Sequence, residues 1–309
     1  MNLYEKLDDI QRLVRKVATW SNEAFDWEKA YVASLFASLA YEEIPEFELK
    51  TSERAKVIPC DSYQAHVSRW ESDQTRSILA GIDSQIPRGV VVREQVVVTA
   101  FQLPEVIFVA FRGTTISFAD FKADLDVRKA RYPLGFGESV KFHRGFFEAV
   151  LEAFDEVVER IDTYRQPKDL PVYVCGHSLG GAMAAIFHGQ ANEDKHHLSG
   201  GRRHRSSPRT EACYTFGMPR YGDLSAKALL AQPYHTYNEL DAVPTLPPKL
   251  LGYVDSANER CVNAIPAVLP SIHKGDFAFR TQDGMSTILG VSDHRMERYI
   301  DRVRILAKK

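Results

Sequence analysis

Gly176-His177-Ser178-Leu179-Gly180-Gly181 places one serine between glycines, where the chain changes from strand-like to helix-like composition. Upstream, Pro171-Val172-Tyr173-Val174-Cys175 is short, β-branched and apolar. Downstream, Ala182 to Phe187 consists mostly of small or unbranched helix formers. Ser178 is therefore expected on a tight strand-to-helix turn. The flanking glycines let the backbone pass close to its neighbours and let the serine take strained dihedrals, and the new helix points unpaired N–H groups at the same spot.

Working outward, helical periodicity runs through Leu7, Ile10, Val14 and Val17 and again from Tyr31 to Tyr41. Strand-like stretches follow near His66 to Trp70, Ile78 to Ile82, Val90 to Phe101 and Val106 to Phe111, the last two joined by a Gln102-Leu103-Pro104-Glu105 turn. Beyond them strands and helices alternate: a helix through Phe146, Val150, Phe154, Val157 and Ile161, the strand before Ser178 and the helix after it, strand Ala212 to Phe216, a short helix from Leu224 to Leu230, and strand Tyr234 to Tyr237. This order predicts an α/β fold with a central, mostly parallel sheet, an antiparallel N-terminal edge and helices on both faces. Right-handed crossovers put the loops that follow the strands, Ser178 among them, along one edge. Residues 1–309 read as a single domain, with 1–60 a helical N-terminal extension.

Composition excludes some classes. The chain has 309 residues, is 44% hydrophobic and carries a formal charge of −2, which supports a large core and argues against a dedicated nucleic-acid binder. The basic run from Lys195 to Arg209 reads as a solvated loop. No segment reaches the ~20 apolar residues of a membrane span. The first residues show early acids and no apolar region, and the four scattered cysteines include two, Cys175 and Cys213, expected as buried thiols; together these predict a cytoplasmic location, with export by a route without a Sec signal as the alternative. No metal-type spacing is present, and no metal or organic cofactor is expected.

A nucleophilic serine needs an acid and a base, which in the α/β-hydrolase arrangement follow it along the chain in the order serine, acid, histidine. His294, just before an amphipathic terminal helix carrying Met296, Ile300, Val303 and Leu306, is preferred over His273. Asp241 falls at the carboxyl end of the Tyr234 to Tyr237 strand, on the same edge as Ser178, with Glu239 and Asp223 as competitors. For the oxyanion, one N–H is expected from Leu179; a second, with a hydroxyl, is expected from Thr114, where Val109-Ala110-Phe111-Arg112-Gly113-Thr114 ends a strand.

These blocks, with Phe142-His143-Arg144-Gly145-Phe146, Thr215-Phe216-Gly217-Met218-Pro219-Arg220 and Asn238-Glu239-Leu240-Asp241-Ala242-Val243-Pro244, resemble the class 3 lipase family of fungal-type triacylglycerol lipases from about Val106 to Ile300. The resemblance implies an α/β-hydrolase fold, nucleophile Ser178, acid Asp241, base His294, oxyanion donors Thr114 and Leu179, and a framework role for His143. It also implies a lid over residues 115–128, in which Phe118, Phe121 and Leu125 share one helix face. The activity it implies is hydrolysis of acylglycerols through an acyl-serine, with a lipid or small ester as partner, at a lipid–water interface when the lid opens. A phospholipase A1, a lidless carboxylesterase or feruloyl-type esterase, and a non-catalytic lipase-like interaction protein are the alternatives.

Overall fold

The computed structural model describes residues 3–41, 56–59, 89–92, 95–113, 127–134, 138–165, 168–193, 208–262 and 293–308. Ten strands are seen among them: β1 (Lys56–Pro59), β2 (Gly89–Val92), β3 (Val97–Gln102), β4 (Ile107–Phe111), β5 (Lys129–Pro133), β6 (Ser139–His143), β7 (Val172–His177), β8 (Ala212–Phe216), β9 (Tyr234–Tyr237) and β10 (Asn258–Cys261). The helices are α1 (Leu3–Lys16), α2 (Trp27–Leu39), α3 (Arg144–Arg165), α4 (Leu179–Ala191), α5 (Leu224–Leu229) and α6 (Met296–Leu306).

Eight strands form one sheet in the order β1-β2-β3-β4-β7-β8-β9-β10. Pairs from β1 to β4 are antiparallel and those from β4 to β10 parallel. This is the α/β-hydrolase arrangement expected from the sequence. The central strands β4, β7 and β8 are buried along their whole length, and apart from Thr215 and His177 their residues are apolar or aromatic on both faces. Alternation then divides them between two cores. Val109, Val174 and Cys213 join α3 and α4 in one cluster. Phe108, Tyr173 and Tyr214 join α1, α2 and α6 in the other.

Helix α2 is buried nearly all round, from Lys29 to Ser38. It starts at Asp26, whose carboxylate accepts the Glu28 and Lys29 N–H groups at 2.6 and 3.0 Å. Phe36 stacks on Phe108 with ring centroids 4.3 Å apart. The chain's first and last helices thus cover the same face of the sheet.

Some elements differ from the sequence reading. The run from Val90 to Phe101 is two strands, β2 and β3, folded back on each other with Val92 opposite Val97; polar Arg93-Glu94-Gln95 interrupts the apolar run there. The β5–β6 hairpin and β10 were not anticipated, because charged and half-exposed residues give them no apolar signature. The strands expected near His66 and Ile78, and most of the basic run from Lys195, lie outside the described residues.

Candidate active site

The turn from β7 into α4 is built by close backbone approach. A Cβ on Gly176 would come within 2.3 Å of the Gly180 carbonyl oxygen, and one on Gly180 within 2.2 Å of the Phe111 oxygen at the end of β4. Only glycine fits at either place. Ser178 itself has φ 57° and ψ −130°, outside the usual basins for an L-residue. That conformation costs about 1–3 kcal/mol, and the Ser178 N–H bond to Phe216 O at 2.9 Å helps hold it. Leu179 opens α4, so its N–H has no partner within the helix and lies at the positive end of the helix dipole.

Two residues from distant parts of the chain meet the serine. His294 Nε2 lies 2.8 Å from Ser178 Oγ, and His294 Nδ1 lies 2.8 Å from Asp241 Oδ2. With the proton on Nδ1, the imidazole donates to the carboxylate and accepts from the serine hydroxyl. Asp241 is buried and collects two more donors, the Val243 N–H on Oδ1 at 2.9 Å and the Tyr299 hydroxyl on Oδ2 at 2.6 Å. Burial first, then the nearby carboxylate, raise the Tyr299 pKa well above its usual value, so it stays a donor. A fully buried carboxylate is tolerable because its lone pairs are satisfied in this way.

Tyr299 is the participant that sequence reasoning missed. It lies on the terminal helix with Ile300 and Val303 and reads as a core residue; the signal was that a buried tyrosine hydroxyl needs a partner. The competing carboxylates have other settings. Asp223 caps α5 by accepting the Ala226 N–H at 3.0 Å, and the carboxylate on His294 Nδ1 is that of Asp241. His143 is buried with its ring 4.0 Å from that of Phe146. Thr114, the lid residues Phe118, Phe121 and Leu125, and His273 lie outside the described residues. Gly113, immediately before Thr114, is described, and its nitrogen is pressed to within 2.7 Å of where a Gly180 Cβ would stand; β4 therefore ends against the serine turn. Among the described residues, no group of three or more His, Cys, Asp or Glu could hold a metal ion, and no helix is long and apolar enough to cross a membrane.

Comparison with known proteins returns the family described as lipase (class 3), matched by residues 108–251. A lipase of Rhizomucor miehei is 33% identical over 158 residues, 50% of this chain and 40% of that protein. A secreted mono- and diacylglycerol lipase of Malassezia restricta is 30% identical over 167 residues, 51% of this chain and 52% of that protein. The chain thus spans about half the length of the curated relatives it matches. In structure, a mutant form of MDLA from Penicillium cyclopium superposes with a TM-score of 0.51 at 17% identity, covering 79% of this chain and 82% of that one; this bears on the fold alone.

The expectation of a cytoplasmic location is overturned, since matched relatives are described as secreted. The thiol argument behind it fails physically. Burial pushes the Cys175 and Cys213 thiols far above their usual pKa, so they stay reduced and unreactive in either compartment.

Proposed function

We propose that this chain, similar over residues 108–251 to the class 3 lipase family, is a member of it and a serine ester hydrolase cleaving acylglycerols. The observation that carries the reading is the unbroken relay Ser178 Oγ, His294, Asp241, at 2.8 Å for each link. His294 takes the Ser178 proton as Oγ attacks the ester carbonyl. Asp241 holds the imidazole in the tautomer that can accept it and stabilises the imidazolium. The Leu179 N–H, at the start of α4, binds the oxyanion; Thr114, next after Gly113, is its proposed partner. His294 returns the proton to the departing alcohol, and a water activated by the same imidazole releases the fatty acid from Ser178.

Acylglycerols are favoured over other esters by the relatives, one of which is a lipase of mono- and diacylglycerols. The same likeness supports a protein that works outside the cell, and Phe118, Phe121 and Leu125 are its proposed lipid-facing lid. The packing of α1, α2 and α6 on one face of the sheet supports reading the chain as one domain.

Ser178→Ala tests the central claim. Hydrolysis of p-nitrophenyl butyrate and of emulsified triolein is expected to fall by at least about 10³-fold, with the thermal unfolding curve kept. Wild-type turnover in the purified variant would remove Ser178 from the mechanism. Phosphatidylcholine run beside triolein distinguishes a phospholipase A1.

A further inference from the structure

Tyr41 follows α2, outside the segment matched by the family, yet it reaches the serine turn. Its hydroxyl lies 3.0 Å from His177 Nδ1 and accepts the Gly113 backbone N–H. A Cβ on Gly113 would come within 2.2 Å of that hydroxyl. On the other side of the ring, His177 Nε2 lies 2.7 Å from the backbone oxygen of His294. A carbonyl only accepts, so Nε2 carries the proton and Nδ1 must accept. One arrangement of hydrogens then satisfies every group: Gly113 N–H to Tyr41 oxygen, Tyr41 O–H to His177 Nδ1, His177 Nε2–H to His294 oxygen. The more distant His177 carbonyl, 3.3 Å from the Tyr41 hydroxyl, is left as the weaker acceptor for a group with one hydrogen.

The His177 and His294 rings lie 4.7 Å apart, tilted by 31°. A second charge there would oppose the imidazolium that forms during turnover. Burial first, then His294 itself, push the His177 pKa well below its usual value and keep it neutral. The titratable or charged groups facing this pair are Tyr41, Asp241 and Tyr299, with Arg112, Glu297 and Arg302 further out.

We propose that Tyr41 and His177 are positioning residues, a three-bond chain that ties the end of β4, the serine turn and the backbone of His294 into one rigid unit and so sets the imidazole against Ser178. Neither touches a reacting atom. The proposal rests on His294 being the base. Its physical logic is that hydrogen bonds in series polarise one another in a water-poor interior, and that small displacements of a catalytic group are costly in rate.

Tyr41→Phe keeps the ring and removes the hydroxyl. For a soluble p-nitrophenyl ester, kcat is expected to fall about tenfold, equivalent to ~1.4 kcal/mol, with KM within about twofold. In the wild type, nitrogen-15 shifts of His177 are expected to report one Nε2-protonated tautomer, unchanged between about pH 5 and 8; in Tyr41→Phe they are expected to move toward a tautomer mixture. His177→Gln, which keeps a donor near the Nε2 position, should retain more kcat than His177→Leu. Adding Tyr41→Phe to His177→Leu should cost nothing further, because the chain is already cut. Wild-type kcat together with an unchanged His177 tautomer in Tyr41→Phe would overturn the proposal. If Ser178→Ala retained activity instead, the triad reading would fall, while the tautomer measurement would still decide whether the chain exists.

Discussion

Replacing Gly217 by alanine strikes the hydrogen-bonded Asp241–His294 pair from a residue outside the proposed triad. Gly217 has φ +56°, and a Cβ there would stand 2.8 Å from Asp241 Oδ2, 2.9 Å from the Tyr299 hydroxyl and 3.1 Å from His294 Nδ1. The first approach is about 0.6 Å short of the 3.4 Å at which ordinary contact begins. The left-handed backbone costs a non-glycine residue about 1–2 kcal/mol, and relieving the overlap about 1–3 more, so the melting temperature should drop by several degrees. Catalysis should suffer more specifically. If a 1 Å misplacement costs on the order of 10²-fold, moving Asp241 and His294 by about 0.6 Å should cost kcat roughly 10- to 30-fold, with KM nearly unchanged. Initial rates on p-nitrophenyl butyrate, with active-site titration by a fluorophosphonate to count folded sites, give the number. Gly222→Ala is the control: its Cβ would meet Ala226, Lys141 and Phe142 rather than Asp241 or His294, coming to 2.8 Å from the Ala226 Cβ, which should cost stability but leave kcat per titrated site intact. Wild-type kcat in Gly217→Ala, or an equal loss in Gly222→Ala, would refute the reasoning that the Asp241–His294 geometry sets the rate.

Acid should destabilise the fold through buried histidines. Burial lowers the His188 pKa to about 4, against ~6.5 in the unfolded chain. As pH falls through that window only the unfolded state gains the proton, so stability is complete above about 6.5 and declines by up to about 3 kcal/mol near pH 4. His177 shifts in the same direction. Calorimetry of His188→Gln should give a flatter melting temperature against pH than the wild type, and an identical slope would count against the assignment. For the thiols, native-state alkylation mapped by mass spectrometry should modify half-buried Cys261 and leave buried Cys175 and Cys213 untouched; labelling of Cys175 before unfolding would contradict the packing of β7.

Strands β4, β7 and β8 of the parallel half were legible because each is short, largely apolar and bounded by turn residues, and because Phe146 to Ile161 keeps one helical stripe. Ser178 and Asp241 stood out for a different reason, since the order of strands fixes which loops share an edge and both follow strands there, whereas His294 stood out as a histidine after the acid and just before an amphipathic terminal helix. What escaped was carried by hydroxyls and charged backbone segments. Tyr41 and Tyr299 look like core aromatics in sequence, and nothing in one-dimensional spacing reveals that their oxygens point at His177 and Asp241. Strand β10, Asn258–Cys261, pairs with β9 through its backbone and needs no apolar side chains to do so at the sheet's edge.

That division explains how the site is supported. The segment matched by the family, 108–251, contains Ser178 and Asp241, but His294 and both tyrosines come from outside it. The same outside segments, α1, α2 and α6, cover Phe108, Tyr173, Tyr214 and Phe216. Without them, these large aromatics on β4, β7 and β8 would face water, at about 1.5–3 kcal/mol for each side chain, and the carboxylate of Asp241 would lose two of its three donors, His294 and Tyr299. Burial and chemistry are therefore coupled through the same helices. The helix that brings Tyr299 to Asp241 also closes the core beneath the sheet, so a change that loosens α6 should cost rate and stability together, whereas one confined to α3 on the opposite face should cost stability alone.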